Sequence, residues 1–285
     1  MFNRYFVQTF FFLLLRGTAL LVVLVLLSIL AFLLWKGAGV LSWQFLTDIP
    51  RDGMTTGGIF PALVGTLILT LLSIAFAFPI GLLMGIYLSE YVRDSKIAQF
   101  VNTMTNCLAG IPSIVFGLFG MAIFVIGLGF GDSILAGALT LAILVLPIII
   151  RTTDEALRAV PDDMRLASIA LGANKLQTIF KIVLPVAFPR ILTGLILAVG
   201  RVAGETAPIL FTVAAYFLPH LPDSLFDQVM VLPYHLYVIS TSGTNLEASR
   251  PVAYGTALVL LAFILILNLL ANALRRYYSK KYQMN

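Results

Sequence analysis

Between residues 17 and 34 the chain carries no charged side chain, and five more apolar stretches follow, at approximately 61–88, 100–128, 133–150, 191–218 and 252–274. A helix rising about 1.5 Å per residue needs runs of this length to cross a hydrocarbon core about 30 Å thick. Only 11% of the 285 residues are charged and 60% are hydrophobic, whereas about a quarter are charged in an ordinary globular domain. With a mean hydropathy of +1.02 the chain has more apolar surface than its own core can bury, so lipid must solvate most of it. Six spans and their loops leave no length for a separate soluble domain of ordinary size. The expected class is an all-α polytopic membrane protein with six transmembrane helices.

Arg4 and Arg16 precede the first run as they would in a secretory leader. That run is long enough to span, however, and Trp35 and Lys36 follow it where a small-residue cleavage site would stand, so it reads as an uncleaved first span. Orientation follows from the basic residues, because lysine- and arginine-rich loops stay in the cytoplasm. With both termini inside, fourteen of the 18 basic residues fall on the cytoplasmic side; only Lys36, Arg51 and Arg250 fall outside, and Arg201 lies within a span. An odd number of spans would spoil this separation. The net charge of +5 is thus a matter of topology, spread over short loops, and not the single basic face that nucleic acid requires. The outer segment 219–251, rich in Pro, Ser and Asp, reads either as a solvated connector or as a docking surface for something outside.

One cysteine, Cys107, excludes an internal disulfide and any multi-cysteine metal site, and His220 and His235 alone do not make a zinc site. Cys107 reads as a small apolar packing residue, and neither histidine is given a chemical role. No lysine follows a glycine, so the GxxxxGK[ST] phosphate cradle is absent and the chain is not expected to be an enzyme or to hydrolyse ATP itself. Proline interruptions are expected at Pro79 and Pro112. Gly81 and Gly85 mark ordinary helix packing, and Gly127, Gly129 and Gly131 an outer turn.

The inner segment 151–190 is too polar to span and too patterned to be a plain linker. Pro161 followed by Asp162 and Asp163 is a helix-start signal, since acids suit the positive end of a first turn. Met164, Ala167, Ile169 and Leu171 supply its apolar positions, and Gly172 its C-terminal stop. A second short helix is expected from Lys175, ending at Pro185.

The fifth stretch contains Arg201-Val202-Ala203-Gly204-Glu205-Thr206-Ala207-Pro208. Counted from Arg190, Arg201 lies roughly 16 Å up a helix, near the middle of the hydrocarbon, where a charge costs about 2.5–3.5 kcal/mol even on a lenient scale. Glu205, one helical turn on, shares its face. Such a pair is expected to face the bundle interior or a water-filled path. Gly200 and Gly204 would admit a neighbouring helix or ligand close to the backbone. Pro208 removes an amide, a disruption tolerated in a membrane where it lines a cavity or is buried in protein. A guanidinium matches two oxygens of a phosphate-like anion; the alternative is a structural ion pair that clamps helices.

Gly172, nine residues, then Ile182-Val183-Leu184-Pro185 resembles the EAA loop of ABC importer permeases, with Leu166-Ala167-Ser168 where that family usually has Glu-Ala-Ala. In that family the loop docks into a separate ATPase, so Leu166, Ala167, Ser168, Gly172, Ile182, Leu184 and Pro185 are the implied coupling residues. RVAGETAP strongly resembles the RxxGETAP motif of phosphate-specific ABC importer permeases, and Gly110-Ile111-Pro112-Ser113-Ile114-Val115-Phe116-Gly117 resembles their GIPSIV segment. The length and span number resemble the smaller, PstA-type permease of that family. The resemblance implies a type I (MetI-like) importer permease fold, with a peripheral helix and first outer loop in 1–60 and a core in 61–285 that carries the coupling loop at 161–185. It implies phosphate import through a path that includes Arg201, Glu205 and Thr206, with Pro112, Gly200, Gly204 and Pro208 shaping the helices. The implied partners are a second, PstC-type permease, two copies of a PstB-type ATPase that hold the ATP and Mg, a PstS-type extracytoplasmic phosphate-binding protein and membrane lipid, but no nucleic acid. No metal or cofactor is expected on this chain, and the bacterial cytoplasmic membrane is its expected place. A permease for sulfate or molybdate, or an ion-coupled secondary transporter, are the alternatives.

Overall fold

The computed structural model describes residues 4–242 and 245–282, so two residues of the outer segment 219–251 and both chain ends lie outside the described residues. Helix α1 (Arg4–Gly37) is apolar on every side and packs chiefly along the last helix, as lipid-facing helices do. A short amphipathic turn, α2 (Trp43–Thr47), capped by the Ser42 hydroxyl, and a two-stranded hairpin, β1 (Pro50–Arg51) antiparallel to β2 (Thr56–Gly57), lead to α3 (Phe60–Ile86).

Pro79 does not interrupt α3, contrary to the sequence reading. Only one helical hydrogen bond is lost there, and the helix is held on either side of it by close packing on α6 (Ile134–Arg158). Gly81 and Gly85 make that packing possible: a Cβ on the first would stand 2.6 Å from the Ile149 side chain and on the second 2.5 Å from Thr153. Within α3, Thr66 and Ser73 donate their hydroxyl protons to the carbonyls of Ala62 and Leu69, which satisfies them without water.

Pro112 does break the chain. Helices α4 (Lys96–Ala109) and α5 (Ser113–Gly120), the latter prolonged by a wide π turn at Met121–Gly127, meet at 101° across Gly110–Pro112. Proline pushes the residue before it out of the helical region, and glycine adds freedom at the corner. The third apolar stretch is therefore sharply bent, a broken span or a re-entrant loop, and five helices make six with this bent pair counted as one span. Cys107, on α4, is exposed and is not the packing residue expected.

The inner loop holds α7 (Asp162–Ala170) and α8 (Lys175–Thr178), and the latter passes through a π turn at Ile179–Val183 directly into α9 (Leu184–Gly204). The helix expected to stop at Pro185 instead continues as the fifth span: the proline follows directly on the π turn and removes only one backbone donor. At its far end α9 stops at Gly204, well short of residue 218. A single turn, α10 (Ala207–Leu210), follows, then irregular chain to α11 (Leu232–Thr241) and the long α12 (Leu246–Tyr282).

The middle of the outer segment, residues 229–239, folds back into the protein, while most described residues on either side of it are exposed. Carbonyls of Thr212, Asp227 and Leu225 accept from the amides of Ser133, Ile134 and Leu135, which have no intrahelical partners at the start of α6. Val229, Val231, Leu232 and Val238 are buried in the main core with Leu69, Leu141 and Val213. The Thr66 hydroxyl accepts from the Leu232 amide at 2.8 Å and ties α11 to α3. A second, smaller core lies at the opposite end, where Ile86, Leu157, Val160, Ile179 and Val183 pack together beneath the α7–α8 loop.

Candidate functional site

In the α7–α8 loop, sequence and geometry agree closely. Asp162 and Asp163 occupy the first turn of α7. Its end is closed by bonds from the Gly172 amide to the Ile169 carbonyl (2.9 Å) and from Ala173 to Ser168 (3.2 Å), with Gly172 at φ +84°. This is the glycine stop that leaves no helix carbonyl stranded. Asn174 and Gln177 then cap each other reciprocally to begin α8. Beneath, the Ser168 and Thr178 hydroxyls meet at 2.9 Å, buried, and hold the two helices together.

The outward side of this loop is apolar and bare. Leu166, Ile169, Leu176 and Phe180 are exposed, and Leu171 is 89% exposed. A concavity of about 840 Å³ beside them is lined by Ala167, Ser168, Gly172, Ile182 and Pro185, among others. The implied coupling residues thus fall into two groups. Leu166, Ala167 and Gly172 face out, while Ser168 is buried and Ile182, Leu184 and Pro185 are half-buried where the loop runs into α9.

Behind the loop lies a contact that the sequence did not disclose. Arg165 donates from Nε and Nη2 to both oxygens of Glu90, at 3.3 and 2.7 Å. Its other protons go to the carbonyls of Leu157 and Val160, at 2.9 and 2.7 Å, and to Asp162 at 3.1 Å. Glu90 lies in a π turn at Tyr87–Tyr91 that ends α3. Such turns are rare and concentrate at functional positions.

The motif in the fifth span is a break and not a kink. After Gly204 the backbone is extended at Glu205, irregular at Thr206 and helical again for the one turn headed by Ala207 and Pro208. The expected mid-helix arginine therefore stands in the last turn of α9, where the negative end of the helix favours a cation. Arg201 Nε and Glu205 Oε1 are 3.3 Å apart, with the arginine side chain 39% exposed and the glutamate 14%. Thr206 is half-buried beside them.

Here the two motif segments meet. A Cβ on Gly117, in the second turn of α5, would stand 2.8 Å from Pro208 Cα and 3.1 Å from the Ala207 carbonyl oxygen. The GIPSIV helix therefore lies backbone to backbone on the turn that follows the break, with Pro112 setting its direction. Gly200 and Gly204 are less constrained than their spacing suggested. A Cβ there would be 3.4 Å from Asn268 and 3.8 Å from Ile264 on α12, ordinary contact distances. The truly close approach on α9 is at Gly194, against the Thr152 side chain.

Among the described residues no His, Cys, Asp and Glu cluster could hold a metal ion. Apolar spans, one of them broken at a charged motif, together with an apolar loop presented at one end, define an integral membrane permease subunit. The chain belongs to the family of binding-protein-dependent transport system inner membrane components, whose pattern matches residues 77–284.

It is 33% identical to the probable ABC transporter permease protein YqgI of Bacillus subtilis, over 94% of each chain. It is 36% identical to the phosphate transport system permease protein PstA of Xylella fastidiosa, over 85% of this chain and 83% of that one. With phosphate transport system permease protein PstA 1 of Mycobacterium tuberculosis it shares 39% identity, over 77% and 71%. The inward-facing MetNI methionine ABC transporter has the same permease fold, at a TM-score of 0.62 and 20% identity, covering 76% of this chain and 94% of that one. A bacterial importer of the acidic polysaccharide alginate matches at 0.56 and 16% identity, over 92% and 96%.

Proposed function

We propose that this chain forms half of the membrane path of an ATP-driven importer of inorganic phosphate, with both termini in the cytoplasm and no catalysis of its own. The observation that carries this reading is the Arg201 guanidinium. It stands in the last turn before the helix break, meets Glu205 at Nε, and has no other hydrogen bond to the described residues. That is the state in which a planar fork can take two oxygens of a tetrahedral anion. Relatives named for phosphate transport support the choice of anion. The bare apolar face of α7 and α8 suits a partner ATPase that supplies ATP and Mg, with Leu166 making an apolar contact where the wider family uses glutamate. A second permease of similar fold and an extracytoplasmic phosphate-binding protein complete the assembly, corresponding to PstC-, PstB- and PstS-type subunits.

The test is the anion that stimulates ATP hydrolysis by the reconstituted complex. Phosphate should stimulate; stimulation by sulfate or molybdate alone would reassign the substrate. A chain that transports without any copurifying ATPase would instead be a secondary transporter. Orientation is checked by impermeant thiol labelling in a Cys107→Ser background. Lys175→Cys should react only from the cytoplasm and His220→Cys only from outside.

A further inference from the structure

From the Arg165–Glu90 contact we infer that the α7–α8 loop drives the break at Glu205 by two routes, and that this ion pair is the joint of the second. The inference rests on the coupling reading above. The first route is continuous helix: α8, its π turn and α9 run without interruption from Lys175 to Gly204. A push on α8 reaches Arg201 directly.

The second route leaves from the opposite side of the loop. Arg165 projects from α7 away from the bare apolar face and binds the end of α3 through Glu90. Both side chains are largely buried, at 13% and 7% exposure. Arg93, three residues past Glu90, binds Asp162 of α7 at 3.1 Å. The corner they grip is short: Ser95 caps the first turn of α4, donor and acceptor 3.1 Å apart. Helix α4 leads to the 101° bend, and beyond it Gly117 of α5 rests against Pro208. Movement of α7 therefore turns the α3–α4 corner, α4 carries it to the bend, and α5 delivers it to the far side of the break that α9 enters. A break gripped from both sides can open or close when the two routes move unequally. One gripped from one side would only be carried along.

The shape of Arg165's bonding suits a joint better than a plain fastening. One carbonyl in the last turn of α6, that of Leu157, and one just beyond it, that of Val160, fix the guanidinium, and the paired bonds to Glu90 hold α3 in a defined orientation relative to α7. A planar fork on a carboxylate resists rotation as well as separation. Arg165 and Glu90 are thus positioning residues. They touch neither anion nor nucleotide.

The experiment uses the assembled transporter in a Cys107→Ser background, with nitroxide labels placed separately on Lys175, an exposed residue outside the apolar face that reports the loop, and on Phe100, an exposed residue of α4. In the unsubstituted complex ATP should change the mobility of both. With Glu90→Gln, which keeps size but removes charge, and independently with Arg165→Lys, which keeps charge but loses the fork, Lys175 should still respond while Phe100 falls silent. Phosphate moved per ATP hydrolysed should drop about fivefold or more, within the range of ordinary coupling energies. If Phe100 responds normally in both variants, or if both labels fall silent because the loop no longer docks, the joint does not exist. If Lys175 fails to respond to ATP even in the unsubstituted complex, the fault lies with the coupling reading itself.

Discussion

Two arginine–glutamate pairs of the same composition behave as opposites in this molecule. Arg165 is saturated: every N–H donor has an acceptor, two of them backbone carbonyls, and its partner glutamate is bound through both oxygens. Arg201 Nε and Glu205 Oε1 are 3.3 Å apart, one turn apart on a helix that ends between them, and Arg201 has no other hydrogen bond to the described residues. Saturation leaves nothing to offer a ligand, whereas an underused fork is held in place but open. On the proposed reading, the arginine fit to take an anion is the one whose donors the protein has left free.

The comparison breaks most visibly in stability. Arg165→Met should strand a buried carboxylate and two helix-end carbonyls, a loss of the kind that costs about 3–5 kcal/mol. Arg201→Met also leaves a carboxylate without its partner, but one that is less buried and strands no helix-end carbonyls, so it should cost less than Arg165→Met. Thermal unfolding of the purified complex measures both. Equal losses would mean that Arg201 is as structural as Arg165.

Transport should reverse that order. Arg201→Lys discards the fork and should lower phosphate uptake, normalised to protein in the membrane, by about tenfold or more, as expected for losing a charge-assisted bond of 1.5–3 kcal/mol. The decisive variant is the double change Arg201→Gln with Glu205→Gln. If the pair only clamps helices, removing both charges should restore what either single change loses. An anion path should show no rescue, because the oxyanion would still lack its arginine.

How much of this could be read from the chain followed the range of each interaction. Arg201 and Glu205 were legible because they lie one turn apart within an apolar run. The Gly172 stop and the Asp162–Asp163 start were legible because helix ends are satisfied locally. Arg165 and Glu90 lie 75 residues apart and no local pattern joins them. The break after Gly204 was misplaced because Pro208 reads as a kink at its own position, whereas the chain leaves the helix before reaching it. His235 looked like an ordinary loop residue, yet it is buried in α11 with neither ring nitrogen bonded to any described residue, and burial pushes its pKa down to about 4. Nothing near it in sequence announces that the outer segment folds back into the core.

A smaller effect separates fixed shape from fixed contact at the loop. Gly172 has open space around it, so Gly172→Val meets no clash and suffers only from φ +84°, a strain of about 1–2 kcal/mol for a residue with a Cβ. Uptake should fall and ATPase copurification should weaken while the chain still inserts. Leu166→Ala should weaken the same docking with little salt dependence, since no charge is lost. Uptake and ATPase binding both untouched by Gly172→Val would mean that the turn's geometry is not what the partner reads.

The smallest expected change asks who uses the space beside Arg201. Alanine at Gly204 would place its Cβ 3.8 Å from Ile264 and at Gly200 3.4 Å from Asn268, so neither need push α12 away. Helix propensity favours alanine by up to about 1 kcal/mol, which offsets any slight crowding. Both variants should therefore unfold within about 0.5 kcal/mol of the parent, inside the range of substitutions that disturb nothing. Gly194→Ala is the contrast, because its Cβ would collide with the Thr152 side chain, and overpacking of that kind costs about 1–3 kcal/mol. If the glycines beside Arg201 serve only as a seam for α12, uptake should survive in step with stability. If uptake falls in Gly204→Ala while stability holds, the missing side chain was leaving room for the anion itself, and the open pair gains a wall as well as a charge. A large stability loss at Gly204 would count against both versions and make the break at Glu205 a packed joint, like the one at Arg165.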